Sequence, residues 1–230
     1  MSAAEPMVPF GRVEKMVRQL THDVRNRLSG MQLQVAYVAE LLSDPEDAAE
    51  AVRELKRLRG LIEDYAKTLP RFSARFRVAV PGRVRYPVKM LVEDFRERLA
   101  RTQPDFAPQV MWTEELADEA VEVDPEMIFA ALAEFFQNAA HFQEAGAPVL
   151  ARAITDAGRF CVTLCERKTA LSSAPATWGA EPLVSTRDGG YGIGLFHARQ
   201  LLAAHGGGVE FTHDPASAHL TTRVFLSLAP

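Results

Sequence analysis

Apolar side chains recur from Val13 through Val17, Leu20, Val24, Leu28, Met31, Val35, Val38 and Leu42, in steps of four and three. That spacing predicts one long helix carrying a single apolar seam. Ser43-Asp-Pro-Glu-Asp47 interrupts the pattern with a stop, a proline suited to a first helical turn and acids suited to a helix N-terminus. A second periodic stretch, Ala48, Val52, Leu55, Leu58, Ile62, Tyr65 and Leu69, predicts a returning helix that ends before Pro70. A lone helical hairpin leaves apolar surface uncovered. Two of them about a two-fold axis close into a four-helix bundle, so the expected state is a homodimer.

Residues 71–87 are arginine-rich and broken by Pro81, Gly82 and Pro87, which reads as a linker with one short strand, Phe76–Val80. Beyond it the pattern alternates. Val88–Ala100 is helical, Gln109–Thr113 and Ala120–Val123 are strand-like, and Pro125–Phe142 is a helix opened by Asp124 as N-cap. Val149–Thr155 and Arg159–Glu166 form a hairpin across Asp156-Ala-Gly158, followed by a helix over Gly192–His205 and strands near Gly208–Thr212 and Leu220–Leu228. The expected fold is α+β: a two-helix hairpin that dimerises, followed by an α/β sandwich. The expected divisions are a tail at 1–10, the hairpin at 11–70, the linker at 71–87 and the sandwich at 88–230.

At 230 residues and 47% hydrophobic the chain has enough apolar content for a core and for two modules. A net charge of -4 without a basic run argues against nucleic acid as a partner. Cys161 and Cys165 share one face of a strand and read as small packing residues rather than a disulfide or metal site. The N-terminus carries no basic patch followed by an apolar stretch, and no run of apolar residues is long enough to span a bilayer. The expectation is a cytoplasmic protein without membrane insertion, served by a separate sensor protein if it responds to a membrane stimulus.

Three segments carry candidate chemistry. In Thr21-His-Asp-Val-Arg-Asn26, His22 and Asn26 share a helix face, and Asp23 is close enough to take a proton from the imidazole. The competing explanation is an ordinary surface histidine. Gly189-Gly-Tyr-Gly-Ile-Gly194 runs into a helix, so backbone N–H groups there can approach a polyphosphate. It is neither a dinucleotide fingerprint, having no preceding strand, nor a P-loop, having no Gly-Lys-Ser/Thr. Glu134 and Asn138 place an acid and an amide on one helix edge, an arrangement suited to magnesium beside phosphates, although on its own such a pair is more often a solvated helix face.

Taken together, in this order and over residues 11 to 228, these segments resemble the transmitter core of bacterial sensor histidine kinases. His22-Asp-Val-Arg-Asn-Arg-Leu28 is similar to the histidine box of the dimerisation and phosphotransfer domain. Asp124-Pro125 leading to Glu134 and Asn138 resembles the N box of the ATP-binding fold shared with gyrase and Hsp90-type ATPases. Glu181 to Leu195 resembles the run from the F box into the second glycine box. The resemblance implies that the sandwich is of the histidine kinase ATPase type, that His22 takes the γ-phosphoryl of ATP, that Asp23 accepts the imidazole proton and that Asn26 positions water when a partner's aspartyl phosphate is hydrolysed. It further implies that Asn138 binds Mg2+ with Glu134 beside it, that Gly190, Gly192 and Gly194 wrap the triphosphate, and that a response regulator receiver domain is the partner.

The first glycine box departs from the family pattern. Glu166 stands where the adenine-binding aspartate belongs and would reach the base with a longer arm, and Lys168 stands where a glycine belongs. Three functions follow: a histidine kinase lacking its own sensor, a histidine phosphotransferase whose ATP-type domain no longer binds nucleotide, or a structural bundle joined to an unrelated domain.

Overall fold

The computed structural model describes residues 8–76, 79–144, 146–171, 175–187 and 190–230. Two compact units divide it, one of Met1–Arg77 with Asp188–Tyr191, the other of Val78–Arg187 with Gly192–Pro230.

The first unit is the hairpin. Helix α1 spans Phe10–Leu41 and α2 spans Ala48–Ala74, joined through a 3-10 turn at Pro45–Asp47 whose preceding Asp44 side chain accepts from the Glu46 N–H at 2.9 Å. Near the turn the helices are held by buried Val38, Leu41, Ala51 and Leu58. The Gln34 amide donates to Glu54 there, and the Tyr37 hydroxyl donates to Glu50 at 3.1 Å. Away from these contacts the apolar seam is open. Val17, Leu28, Val35, Leu42, Val52, Leu55 and Ile62 each keep 46–60% of their surface exposed. One expected boundary fails, because α2 runs past Pro70 to Ala74. A proline removes one backbone donor and crowds the carbonyl four residues earlier, which weakens a helix without always ending it.

The second unit is a sheet covered by helices. Strands β2 (Val110–Glu115), β4 (Val149–Asp156), β5 (Arg159–Arg167), β7 (His219–Ser227) and β6 (Gly208–Asp214) lie side by side in that order, with β2 and β4 parallel and the other pairs antiparallel. Strands β1 (Val84–Pro87) and β3 (Ala120–Val123) form a separate antiparallel pair. The short strand expected at Phe76–Val80 is absent at Ala79 and Val80, and Arg77 and Val78 lie outside the described residues. Pairing with β3 selects Val84–Pro87 instead, since a short strand forms where it finds a ladder.

Helices α3 (Val88–Thr102), α4 (Pro125–His141) and α5 (Gly194–Ala204) supply the apolar layer. Val88, Leu91, Val92, Phe95 and Leu99 of α3 are buried at helical spacing, as are Ile128, Leu132, Phe135 and Phe136 of α4. They meet Val149, Ala151, Ala153, Phe160, Val162 and Leu164 from alternate positions of β4 and β5. At the centre, Phe136 lies edge-on to Phe95 at 4.9 Å and stacks on Trp112 at 5.5 Å.

Asp124 caps α4 as expected, its carboxylate accepting from the Met127 N–H at 3.3 Å. Its own N–H donates to Nε2 of buried His205 at 3.0 Å, whose Nδ1 donates to the Leu201 carbonyl at 2.6 Å. One imidazole thereby ties the start of α4 to the end of α5.

Truncating Phe136 to Ala removes the ring shared by Phe95 and Trp112. A loss of about 3–5 kcal/mol is expected, measured as a shift in the urea midpoint by tryptophan fluorescence.

Candidate functional site

His22 stands on the solvent side of α1, its side chain 64% exposed. Helical geometry puts two polar neighbours around the ring. Asp23 Oδ1 lies 3.4 Å from Nδ1, and the Asn26 amide nitrogen lies 3.3 Å from both Nδ1 and Nε2. Placing the proton on Nδ1, toward the carboxylate, leaves a lone pair on Nε2, within 3.3 Å of the Asn26 amide nitrogen on the exposed ring. The expected trio is therefore brought together.

Asp23 has two further partners. The Gln19 amide, one turn earlier, donates to Oδ1 at 2.9 Å, and the Tyr191 hydroxyl donates to Oδ2 at 2.5 Å. The Tyr191 bond is the largest influence on this carboxyl. With the bonds from His22 and Gln19 it holds Asp23 below its ordinary value, against a smaller opposing effect of desolvation. The Tyr191 phenol is pushed up to about 12, first by burial and then by its bond to the carboxylate. Gly190 and Tyr191 group with the hairpin unit, whereas Gly192 and Gly194 belong to the sheet unit.

In the sheet unit, the acid-and-amide motif meets the end of the glycine run. Glu134 and Asn138 are half-buried on α4, one turn apart on one edge. The Glu134 carboxylate reaches across to Gly194 at the start of α5, so close that a β-carbon at Gly194 would collide with it. Gly192 has φ +68°, and a β-carbon there would fall 2.5 Å from the Val184 nitrogen. Its carbonyl accepts from the Leu183 N–H at 2.9 Å. Gly192 is thus demanded by its positive φ and by backbone packing, whereas Gly194 faces only the flexible Glu134 side chain; both are compatible with a polyphosphate at a helix N-terminus.

Glu166, at the end of β5, is buried and does not point into free space. Its Oε2 lies 3.0 Å from the Lys168 ammonium, and both side chains are less than 10% exposed. Lys168 also donates from its ammonium to the Phe142 carbonyl at the C-terminus of α4. Its backbone is pinned as well: the N–H donates to Ala218 O at 2.8 Å, and the carbonyl accepts from His213 Nε2 at 2.9 Å. Desolvation pushes the Glu166 carboxyl up, and the neighbouring ammonium opposes that rise. The next residue is held too, Thr169 donating to Glu144 through its N–H at 2.6 Å and through its hydroxyl at 2.9 Å.

A nucleotide fits these residues at one end only. Gly192, Gly194 and the Asn138 edge suit phosphates, while the carboxylate expected to receive a base amino group is already engaged by an internal cation. The sequence reading identified Lys168 as an obstacle and missed the ion pair. The signal was present in the Glu-x-Lys alternation at the end of a strand, which puts the two side chains on one face. Tyr191 was missed because its partner lies far away in the sequence. Among the described residues no group of three or more His, Cys, Asp or Glu side chains is arranged to hold a metal ion, and no helix is long and apolar enough to cross a membrane.

No protein-family model matches the sequence, and no curated protein matches it. Solved structures do match. The chain is similar to the mycobacterial sensor histidine kinase MprB at 19% identity and TM-score 0.52, covering 66% of this chain and 99% of that one. The full-length histidine kinase ShkA in complex with AMPPNP matches at 20% identity and TM-score 0.59, over 94% of this chain and 46% of that one. The histidine kinase ThkA in complex with the response regulator TrrA matches at 15% identity and TM-score 0.56, over 95% and 62%. The chain spans less than two thirds of the ShkA and ThkA chains. It has the fold of a sensor histidine kinase transmitter core: helices followed by the α/β sandwich of the histidine kinase ATPase type.

Replacing Lys168 with Met strands a buried carboxylate, a change expected to cost about 3–5 kcal/mol near neutral pH. Glu166 has a raised folded-state value, so the folded protein binds more protons than the unfolded chain between the ordinary carboxylate value and the raised one. Stability contributed by this group is present at low pH and is lost as pH rises through that window. The Lys168→Met deficit should therefore shrink on acidification toward pH ~5, as read by denaturant midpoints across pH.

Proposed function

We propose that this chain is a histidine kinase of two-component signalling, in which His22 accepts a phosphoryl group and passes it to an aspartate on a response regulator receiver domain. The observation that supports this reading is the solvent-facing His22 ring, flanked by Asp23 and Asn26, in a chain with the transmitter-core fold. Nε2 forms the bond to phosphorus as the donor's P–O bond breaks, and the Nδ1 proton moves toward Asp23. Asn26, within reach of both ring nitrogens, orients the imidazole and positions water when the partner's aspartyl phosphate is hydrolysed.

ATP is the proposed donor, with Asn138 and Glu134 as the residues that would hold Mg2+ and the Gly190, Gly192 and Gly194 run facing the phosphates. Bound metal would neutralise phosphate charge, and positioning is the protein's main contribution. That ShkA was solved with AMPPNP and ThkA with a response regulator supports both the donor and the partner. A second reading, a phosphotransferase charged by a phosphorylated receiver, is favoured by the Glu166–Lys168 pair, which occupies the group expected to select adenine. The open apolar seam supports a homodimer completed by a second hairpin.

Incubation with γ-labelled ATP, and separately with a receiver pre-phosphorylated by acetyl phosphate, should give an acid-labile, alkali-stable label that is abolished by His22→Gln. Label from ATP supports the kinase, and label from the receiver alone supports the relay. Label retained in His22→Gln contradicts both. Light scattering should report a dimer that Leu28→Asp with Leu55→Asp converts to monomer, since each places a charge on the exposed seam.

A further inference from the structure

We infer that Tyr191 is a positioning residue for the His22 site, its hydroxyl holding Oδ2 of Asp23 so that Oδ1 stays turned toward the imidazole. The inference rests on the reading of His22 as the phosphoryl acceptor. A carboxylate turns readily about its terminal torsion, and an acid beside a nucleophilic ring is useful only in the orientation that meets the ring proton. Asp23 is held in that orientation by donors from three directions. Gln19 Nε2 reaches Oδ1 at 2.9 Å, His22 Nδ1 faces the same oxygen at 3.4 Å, and the Tyr191 hydroxyl takes Oδ2 at 2.5 Å.

The third contact is the shortest, within the range of a charge-assisted O–H to carboxylate bond. It also differs in origin. Gln19 and His22 lie on α1 with Asp23 and move with it, whereas Tyr191 comes from a remote part of the chain and supplies an anchor that the helix cannot. Without it, Oδ2 faces water and the carboxylate is free to rotate. The titratable and charged groups facing this pair are His22 beside the carboxylate, and Arg27 from α1 and Tyr65 from α2 beside the phenol, Arg27 itself lying 5.1 Å over the Tyr65 ring. Arg27 favours the ionised phenol and Tyr65 opposes it, with burial and Asp23 dominant in keeping Tyr191 protonated as a donor at neutral pH.

The test is Tyr191→Phe in the full chain, which keeps the ring and deletes only the hydroxyl. Carbon-detected NMR of the Asp23 carboxyl reads the interaction without any phosphoryl donor, and its titration midpoint should move up in the variant. Phosphorylation of His22, from whichever donor charges the wild type, should slow by about threefold to tenfold with donor KM unchanged, and the acid limb of its pH profile should move up with the carboxyl. In an Asp23→Asn background the same change should have no further effect on rate, an outcome that general loosening of the fold would not produce. An unchanged Asp23 titration, or a rate that is equal or faster in Tyr191→Phe, overturns the inference. Absence of any label on wild-type His22 instead defeats the functional reading, and the titration still decides whether Tyr191 holds the acid.

Discussion

The chemistry proposed here depends on helical periodicity acting twice at one place. Gln19 and Asp23 are four residues apart, as are His22 and Asn26, and the two pairs are offset by three residues along α1. The amide of one pair orients the acid, while the amide of the other lies beside the ring. An imidazole on an isolated helix would rotate among its rotamers and present either nitrogen. With an acid beside Nδ1 and an amide 3.3 Å from both ring nitrogens, the exposed ring is held between a proton acceptor and a donor. This local order needs continuous helix on both sides, which α1 provides over Phe10–Leu41.

The sheet unit shows a different balance. Where the resemblance leads one to expect an acceptor open to a base, the protein has built an internal cation–anion pair and braced it from three neighbouring segments: the end of α4, β6 and the turn before β7. Buried pairs of this kind contribute little net stability compared with apolar replacements, yet they are costly to break once made. Their persistence in a fold is therefore more readily understood as fixing an arrangement than as strengthening it. In the glycine run, Gly192 packs against the Val184 and Leu183 backbone, and Gly194 faces the Glu134 carboxylate.

Much of the fold was legible because it is local. The seam of α1 and α2, the Asp124 cap and the Asp156-Ala-Gly158 turn are each written within a few consecutive residues. The turn carries positive φ at Ala157 and Gly158, as a two-residue hairpin connection requires. Other features were illegible because they are set by distant partners. Residues 84–87 form a strand only in company with β3, and α2 continues past Pro70 although the local signal says stop. The candidate histidine site was readable from three residues in one helical turn. Tyr191 was not, since nothing near Asp23 announces a phenol from 168 residues away. Lys168 was legible as a misfit and became interpretable only when its carboxylate partner and the Phe142 carbonyl were seen around it.

His205 offers a contrast with His22. Both nitrogens of its ring are committed, one donating to Leu201 and the other receiving the peptide hydrogen of Asp124. An electrophile or a metal ion seeking that lone pair would have to evict the first hydrogen bond of α4's entrance, so the fold renders this second imidazole chemically silent while leaving the first one open to reaction.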